Sequence, residues 1–205
     1  MKHSSTQALL RYWNALRGDR SAPERNDVDP TEIRSVLIDT FILDVDRTGA
    51  CDLRLVGDRT NCLFLKELKG TSFWDLWAEE DREDLDLLLS TVLDEAMPVV
   101  AGARAAAYGR KPVDLELLIL PLRHNGRTHS RMLGCLAPHS IPSWFGLLPT
   151  SPLGLGSMRA LHPERCLDEA AHEWPENPMP PDLYEPFEGQ LATRRGHLLV
   201  IDGDR

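Results

Sequence analysis

Residues 113–122 read Val-Asp-Leu-Glu-Leu-Leu-Ile-Leu-Pro-Leu and form the most apolar of three consecutive segments with strand-like sequence. A nearly continuous apolar run of this length is typical of a strand that is covered on both faces. The other two segments, 99–107 and 129–137, flank it and are separated from it by turn residues. We therefore expect three consecutive strands, with residues 113–122 the most buried.

Two alternating apolar segments, 41–45 and 53–57, come earlier in the chain and predict a β-hairpin. Residues 79–96 predict a long helix, because acidic residues at its start match the helix dipole and apolar residues then recur on one face. The intervening residues, 58–77, have the broken helical spacing of short helices.

Two helices are predicted before the hairpin. Residues 7–17 repeat apolar side chains at helical spacing and end at Gly18. The stretch Asp29-Pro30-Thr31-Glu32 combines an N-cap acid, a proline and a capping-box Glu, so it predicts a short helix to about Leu37. The whole order of elements describes an α+β fold, with an antiparallel sheet covered by helices on one face.

The composition of the sequence changes after residue 137, because 10 of the 15 prolines lie between positions 138 and 186. We predict a helical cap over 1–39, a core over 40–137 and a proline-rich acidic extension over 138–205. Within the extension, residues 163–174 predict one helix and residues 198–201 one strand. Residues 132–158 carry no charge, but their prolines and glycines exclude a spanning helix and predict a strand followed by a loop.

The composition is that of a globular protein, with 42% hydrophobic residues, 27% charged residues and a formal net charge of −9. A negative overall charge attracts neither nucleic acid nor an anionic membrane, so we expect neither as a partner and no membrane insertion. The polar amino-terminal residues argue against an export signal, so the expected location is cytoplasmic. The spacing of the cysteines fits no zinc site and predicts reduced thiols, at Cys51, Cys62, Cys135 and Cys166.

Five segments in the same order resemble a PAS-like domain family, long catalogued as a domain of unknown function and found mainly in alphaproteobacteria. These segments are Leu10-Arg11-Tyr12-Trp13, Pro23-Glu24-Arg25 with Asp27-Val28-Asp29-Pro30, Arg54-Leu55-Val56-Gly57, Glu67-Leu68-Lys69-Gly70-Thr71 and Leu118-Ile119-Leu120-Pro121-Leu122. The resemblance covers roughly residues 7–138. It implies a five-stranded antiparallel sheet whose concave face is covered by the short helices and the long helix, and an N-terminal helix of the kind that commonly mediates dimer contacts.

PAS domains sense small ligands, cofactors or protein partners, and the fold alone does not say which. The resemblance predicts a non-enzymatic, single-domain sensory or adaptor protein of bacterial signalling, which forms a homodimer and contacts signalling proteins. The alternative is a small-molecule isomerase or dehydratase on a cone-shaped α+β fold. Such an enzyme requires a buried acid with a raised pKa, for which Asp44 and Glu116 are the candidates. Alternation along the strand predicts that Glu116 faces solvent.

Aromatic residues around a predicted short helix are the candidates for a ligand pocket: Phe64, Trp74 and Trp77. Residues of this kind either line a pocket or fill the core, and core filling is the more frequent role. An apolar stripe on the first helix packs either on the sheet or on a second chain and is the candidate dimer interface: Leu9, Tyr12, Trp13 and Leu16.

Flavin and haem are both disfavoured as cofactors, and the sequence identifies no other cofactor. The run Asn61-Cys62-Leu63-Phe64-Leu65 resembles the photoreactive segment of flavin-binding LOV domains, but it precedes Gly70 instead of following a glycine, and it lacks the expected Arg and Gln. We therefore interpret Cys62 as a buried helical cysteine. Haem is disfavoured because no His lies between Asp58 and Met97. The histidines have no metal-ligand spacing, and no motif predicts a catalytic residue.

Overall fold

The computed structural model describes residues 1–46, 48–124 and 130–162, together with the backbone of residues 127–129, 192–195 and 198–201. The chain divides into two compact units, Met1–Ala171 and His172–Arg205. The first unit therefore continues well past the predicted core limit at residue 137. The helix predicted over 163–174 lies outside the described residues.

The helices of the first unit are α1 (Ser4–Arg17), α2 (Asp58–Phe64) and α3 (Arg82–Asp94). Its strands are β1 (Thr40–Val45), β2 (Cys51–Val56), β3 (Val99–Ala105), β4 (Val113–His124), β5 (Arg127–Pro138) and β6 (Gly154–Ala160). Short 3-10 helices cover Arg25–Asp27, Leu37–Asp39, Phe73–Leu76 and Glu79–Asp81. The second unit contains an antiparallel pair, β7 (Ala192–Arg195) and β8 (Leu198–Ile201), so the strand predicted over 198–201 is present. Among the described helices, none is long and apolar enough to cross a membrane.

The six strands of the first unit form one antiparallel sheet in the order β2-β1-β5-β4-β3-β6. Strand β4 lies inside the sheet, and every residue from Leu115 to Leu122 is buried. This arrangement confirms the α+β fold and the buried position of residues 113–122. It also confirms the predicted hairpin, which is β1–β2.

The predicted count of five strands is too small, because β6 extends the sheet along the outer edge of β3. This strand begins Gly154-Leu155-Gly156, and glycine has a low strand propensity, which hides the strand in the sequence. Gly156 has a structural role. A Cβ on Gly156 would lie only 3.2 Å from the carbonyl oxygen of Gly102 on β3. The close backbone approach therefore favours a residue without a side chain.

Apolar side chains cover both faces of the sheet. The inner face packs against α2, α3 and the Phe73–Leu76 turn. Helix α3 buries the face predicted from the sequence, including Leu85 and Leu88. The outer face packs against α1 and the segment that follows it, which contributes Ile33. The N-terminal helix is thus part of the fold of its own chain.

The short helix predicted over 29–37 is wrong. Residues 30–36 form turns, and only Leu37–Asp39 is a 3-10 helix. The carboxylate of Asp29 accepts hydrogen bonds from the amide and the hydroxyl of Thr31, both at 2.8 Å. Such local bonding gives the backbone an alternative to a helix, and it uses the residues that look like a capping box.

Candidate functional site

The inner face of the sheet carries a buried aromatic cluster. The ring centroids of Phe41 and Phe73 lie 5.6 Å apart, and those of Phe73 and Trp77 lie 5.7 Å apart in an edge-on arrangement. Each of the three residues is at most 2% exposed. Aromatic pairs at these separations are favourable beyond the apolar area that they bury. The cluster thus holds the Phe73–Leu76 turn against β1.

All three predicted pocket residues contact the core on the inner face of the sheet. Trp77 belongs to the cluster itself, whereas Phe64 and Trp74 are half-buried and pack against the same core. Phe64 is the last residue of α2, and Trp74 lies on the turn before Trp77. The three side chains therefore share one core, although they come from two separate segments.

Two buried side-chain polar atoms have no hydrogen-bond partner among the described residues: Trp77 Nε1 and Thr60 Oγ1. Burying a donor without an acceptor costs about 1–3 kcal/mol. Native cores satisfy most such groups, so each exception requires a physical reason. The sequence pattern locates Trp77 but contains no signal that its indole N–H is unpartnered, because that depends on tertiary packing.

The outer face contains a buried acid, Glu116, which the alternation of residues along its strand predicts to face solvent. Glu116 is 6% exposed and does not face solvent. Its carboxylate accepts hydrogen bonds from the amides of Lys2 and His3, at 2.7 and 3.0 Å, and from the hydroxyl of Thr6. Desolvation favours the neutral acid, but these hydrogen bonds outweigh it and lower the pKa of Glu116. We call Glu116 and the three groups that donate to it the N-terminal anchor.

A second buried acid, Asp39, lies beside the first turn of α1. It is 1% exposed, accepts a hydrogen bond from the Ser5 hydroxyl at 2.8 Å, and pairs with the Arg59 guanidinium at 2.8 Å. The other acid considered in the sequence, Asp44, is half-buried and pairs with Arg131 at 3.4 Å. Each of these two carboxylates thus has a positively charged partner.

The apolar stripe of α1 packs on the sheet of its own chain. Leu9 and Trp13 are fully buried, and the Trp13 indole N–H donates to the carbonyl of Pro121 at 2.7 Å. Tyr12 and Leu16 are half-buried. Of the two arrangements that the sequence leaves open for this stripe, packing on the sheet accounts for Leu9 and Trp13.

The cysteines differ in burial. Cys62 is exposed on α2, so its interpretation as a buried residue is wrong; Thr60 and Leu63 occupy the buried side of that short helix. Cys51 and Cys135 are buried free thiols. Desolvation raises the pKa of Cys51 to about 12 and that of Cys135 well above its usual value, so both stay protonated and unreactive. Cys166 lies outside the described residues.

In the described part of the chain, no group of three or more His, Cys, Asp and Glu side chains is arranged to hold a metal ion. The two aromatic rings of His3 and His139 lie 5.9 Å apart beside the N-terminal anchor, without a third ligand residue.

The chain matches the model of a known protein family. A family model described as PAS domain matches residues 1–137, which include α1, five of the six strands and the aromatic cluster. No curated protein matches the chain. The match covers about two thirds of the sequence and agrees with the antiparallel sheet and its helical cover. The chain therefore belongs to the PAS domain family.

Proposed function

We propose that this protein is a sensory or adaptor module of bacterial signalling, which works in the cytoplasm through a small ligand and through contacts with signalling proteins. PAS domains are in general sensory rather than catalytic, and family membership supports that role for this chain.

The main support for a bound ligand is the indole N–H of Trp77, a buried donor without an acceptor among the described residues. A bound molecule with an acceptor atom at this position would remove the cost of that unmade hydrogen bond. Trp74 and Phe64 are half-buried and pack against the same inner core, so they are the candidates to contact the apolar part of such a ligand. We therefore assign the ligand pocket to Phe64, Trp74 and Trp77.

A non-catalytic role is supported by the state of Glu116. The enzyme alternative requires a buried acid that is held neutral, or close to it, near pH 7. The pKa of Glu116 is instead lowered, because its three donors favour the carboxylate. Its hydrogen-bonding capacity is used to attach α1 to β4, which is a structural task.

The homodimer that we propose uses the half-buried Tyr12 and Leu16 on α1, since Leu9 and Trp13 are already covered within the chain. The Tyr12 hydroxyl accepts a hydrogen bond from the Asp29 amide at 2.7 Å, which fixes its ring beside the turn that follows α1. A fixed aromatic ring at a helix surface loses little conformational entropy when a second chain covers it.

Native mass spectrometry of the freshly purified chain tests ligand and dimer together. We expect a species heavier than the bare chain by the mass of one small molecule, and a dimer. Trp77→Phe removes the indole N–H, so the bound species should be lost or much reduced. The matched control is Trp144→Phe, because Trp144 is also buried on the inner face but already donates to the Lys111 carbonyl at 3.2 Å.

The two variants should also differ in stability. In ligand-free protein, Trp144→Phe should lower the free energy of unfolding by about 1 kcal/mol through the lost hydrogen bond. Trp77→Phe should lower it less, because its N–H has no partner to lose. Equal ligand occupancy in both variants would contradict the pocket. A purified chain that turns over a metabolite but neither self-associates nor binds a signalling protein would contradict the sensory role.

A further inference from the structure

A groove of about 460 Å³ lies on the outer face of the sheet, opposite the face that carries the aromatic cluster. Its floor is an apolar row across three strands. Ile42 on β1 stands opposite Leu55 on β2 and also opposite Leu133 on β5. Side chains of cross-strand partners project to the same face, so the three form one continuous surface. The segment after α1 forms a wall of the groove, with Ile33 from its turns and Ile38 from the 3-10 helix Leu37–Asp39.

Leu55 reaches this surface because of a β-bulge. Leu43 pairs with Leu53, and Ile42 pairs with Leu55, so Arg54 has no partner on β1. The extra residue reverses the alternation along β2. Leu53 is consequently buried in the inner core, whereas Leu55 lines the outer groove and stays 41% exposed.

The rim of the groove is positively charged. Arg25, Arg34 and Asp58 all line it, so the guanidinium groups outnumber the carboxylate. Within the described residues, neither guanidinium takes part in an ion pair or a side-chain hydrogen bond. Unpaired guanidinium groups beside an apolar floor suit a carboxylate, which arginine binds through two parallel hydrogen bonds. This local charge contrasts with the net charge of −9 of the whole chain.

We propose that this groove binds a small amphipathic carboxylate, with its aliphatic chain on the apolar row and its carboxylate against the two rim arginines. The volume falls in the range of small-molecule sites, roughly 300–1,000 Å³. Fourteen residues line the groove, whereas a stable protein interface uses roughly 20–30 residues a side. Asp58 disfavours a second anionic group on the ligand. This site is independent of the pocket at Trp77.

The test compares three probes with the same ten-carbon chain on the full-length, ¹⁵N-labelled protein: sodium decanoate, 1-decanol and decyltrimethylammonium bromide, all below their micellar concentrations. We expect decanoate to shift the amide resonances of Ile38, Leu55 and Gly57. Decanoate should bind about tenfold more tightly than decanol, because only it pairs with the arginines. The cationic probe should bind most weakly.

Variants of the protein separate the contribution of the ligand's carboxylate to binding from that of its aliphatic chain. Arg34→Gln should weaken decanoate binding by about tenfold and leave decanol binding unchanged. Leu55→Gln should weaken the binding of both probes. The matched control is Leu87→Gln, which changes a leucine of comparable exposure, 58%, on α3, and it should leave both affinities unchanged. Thermal melts followed by circular dichroism confirm that each variant is folded.

Three results would overturn the proposal. Equal affinities for the three probes, or no binding, would show that the groove does not recognise a carboxylate. Shifts confined to the aromatic cluster would place decanoate in the inner pocket instead. An Arg34→Gln variant with altered self-association but unchanged decanoate binding would identify the groove as a protein contact. None of these results depends on the Trp77→Phe experiment, so the two proposed sites can fail separately.

Discussion

The carboxylate of Glu116, the fourth residue of β4, lies 2.7 Å from the backbone amide of Lys2 and accepts its hydrogen bond. The neighbouring amide of His3 donates to the same carboxylate. Because Glu116 is almost fully buried, protein donors replace the water that would otherwise solvate its charge. The start of the chain is thus attached to the sheet by a buried charge as well as by the apolar contacts of α1.

Replacing the charge of the N-terminal anchor should destabilise the fold. Glu116→Gln keeps the size of the side chain but leaves three donors around a neutral amide, so the free energy of unfolding should fall by about 1–3 kcal/mol. Urea denaturation measures this change. The control is Asp114→Asn on the same strand, where the side chain is 69% exposed and the expected change is within about 0.5 kcal/mol. Equal effects would mean that the anchor contributes nothing specific.

The same carboxylate predicts a loss of stability in acid. The pKa of Glu116 is lowered from 4.5 in the folded chain, so its contribution is complete above pH 4.5 and is lost as the pH falls through the folded value. The unfolding free energy of Glu116→Gln should therefore depend less on pH in this window than that of the wild-type chain. Parallel slopes for the two proteins would contradict this assignment.

His3 predicts a second pH dependence, nearer neutrality. Burial lowers its pKa from 6.5, and its neutral Nδ1 accepts a hydrogen bond from the Ser5 amide at the start of α1. The nearby His139 also opposes its protonation, whereas Asp39 and Glu116 favour it. The folded chain thus binds fewer protons than the unfolded chain just below pH 6.5, and stability should fall as the pH drops through that range.

The His3→Asn variant isolates this effect, because asparagine caps a helix N-terminus without titrating. Melting temperatures measured from pH 7.5 to pH 5.5 should decline less steeply in His3→Asn than in the wild-type chain. An identical decline would assign the pH dependence to other groups.

Gly57 should tolerate no side chain. A Cβ at this position would overlap the backbone carbonyls of Leu37 and Ile38, which cannot rotate away. Gly57→Ala should therefore cost at least about 2 kcal/mol of stability. Gly102→Ala on β3 is the control, since its nearest neighbour would be a carbonyl oxygen of Ser157 at 4.0 Å, and it should be nearly neutral. Chemical denaturation of both variants tests the contrast.

Gly134 should be coupled to Phe41. The two residues are register partners on β5 and β1, and a Cβ on Gly134 would overlap the Phe41 ring. Gly134→Ala and Phe41→Leu should each destabilise the fold by about 1–3 kcal/mol. The smaller leucine leaves room for the new methyl group, so the double variant should be more stable than the sum of the single effects predicts. Strict additivity in a double-mutant cycle would contradict the coupling.

The sequence predicts the elements with strong periodicity. Helix α3, the β1–β2 hairpin and the buried β4 follow directly from the spacing of apolar residues. The position of Glu116 does not, because both faces of β4 are covered and alternation no longer separates core from solvent. The groups that donate hydrogen bonds to Glu116 lie at the start of the chain. No local sequence pattern predicts a contact between residues so far apart.

The candidate sites were predictable to different degrees. Aromatic spacing locates Trp74 and Trp77 near one another, but it contains no information on which indole finds an acceptor. The outer groove depends on the bulge at Arg54, which moves Leu55 to the opposite face from the one that alternation predicts. Because of this one extra residue, Leu55 lines the outer groove, whereas the alternation of the sequence predicts it in the inner core.

The sheet order has a consequence for the growing polypeptide on the ribosome. Strand β1 finds its second neighbour only in β5, where Thr40 meets Cys135 and Asp44 meets Arg131. Until that late segment has been synthesised, one side of the early hairpin exposes unpaired backbone groups and apolar residues such as Phe41. Edges of this kind pair readily with other nascent chains. The β1–β2 hairpin is therefore a segment that chaperones would protect during translation.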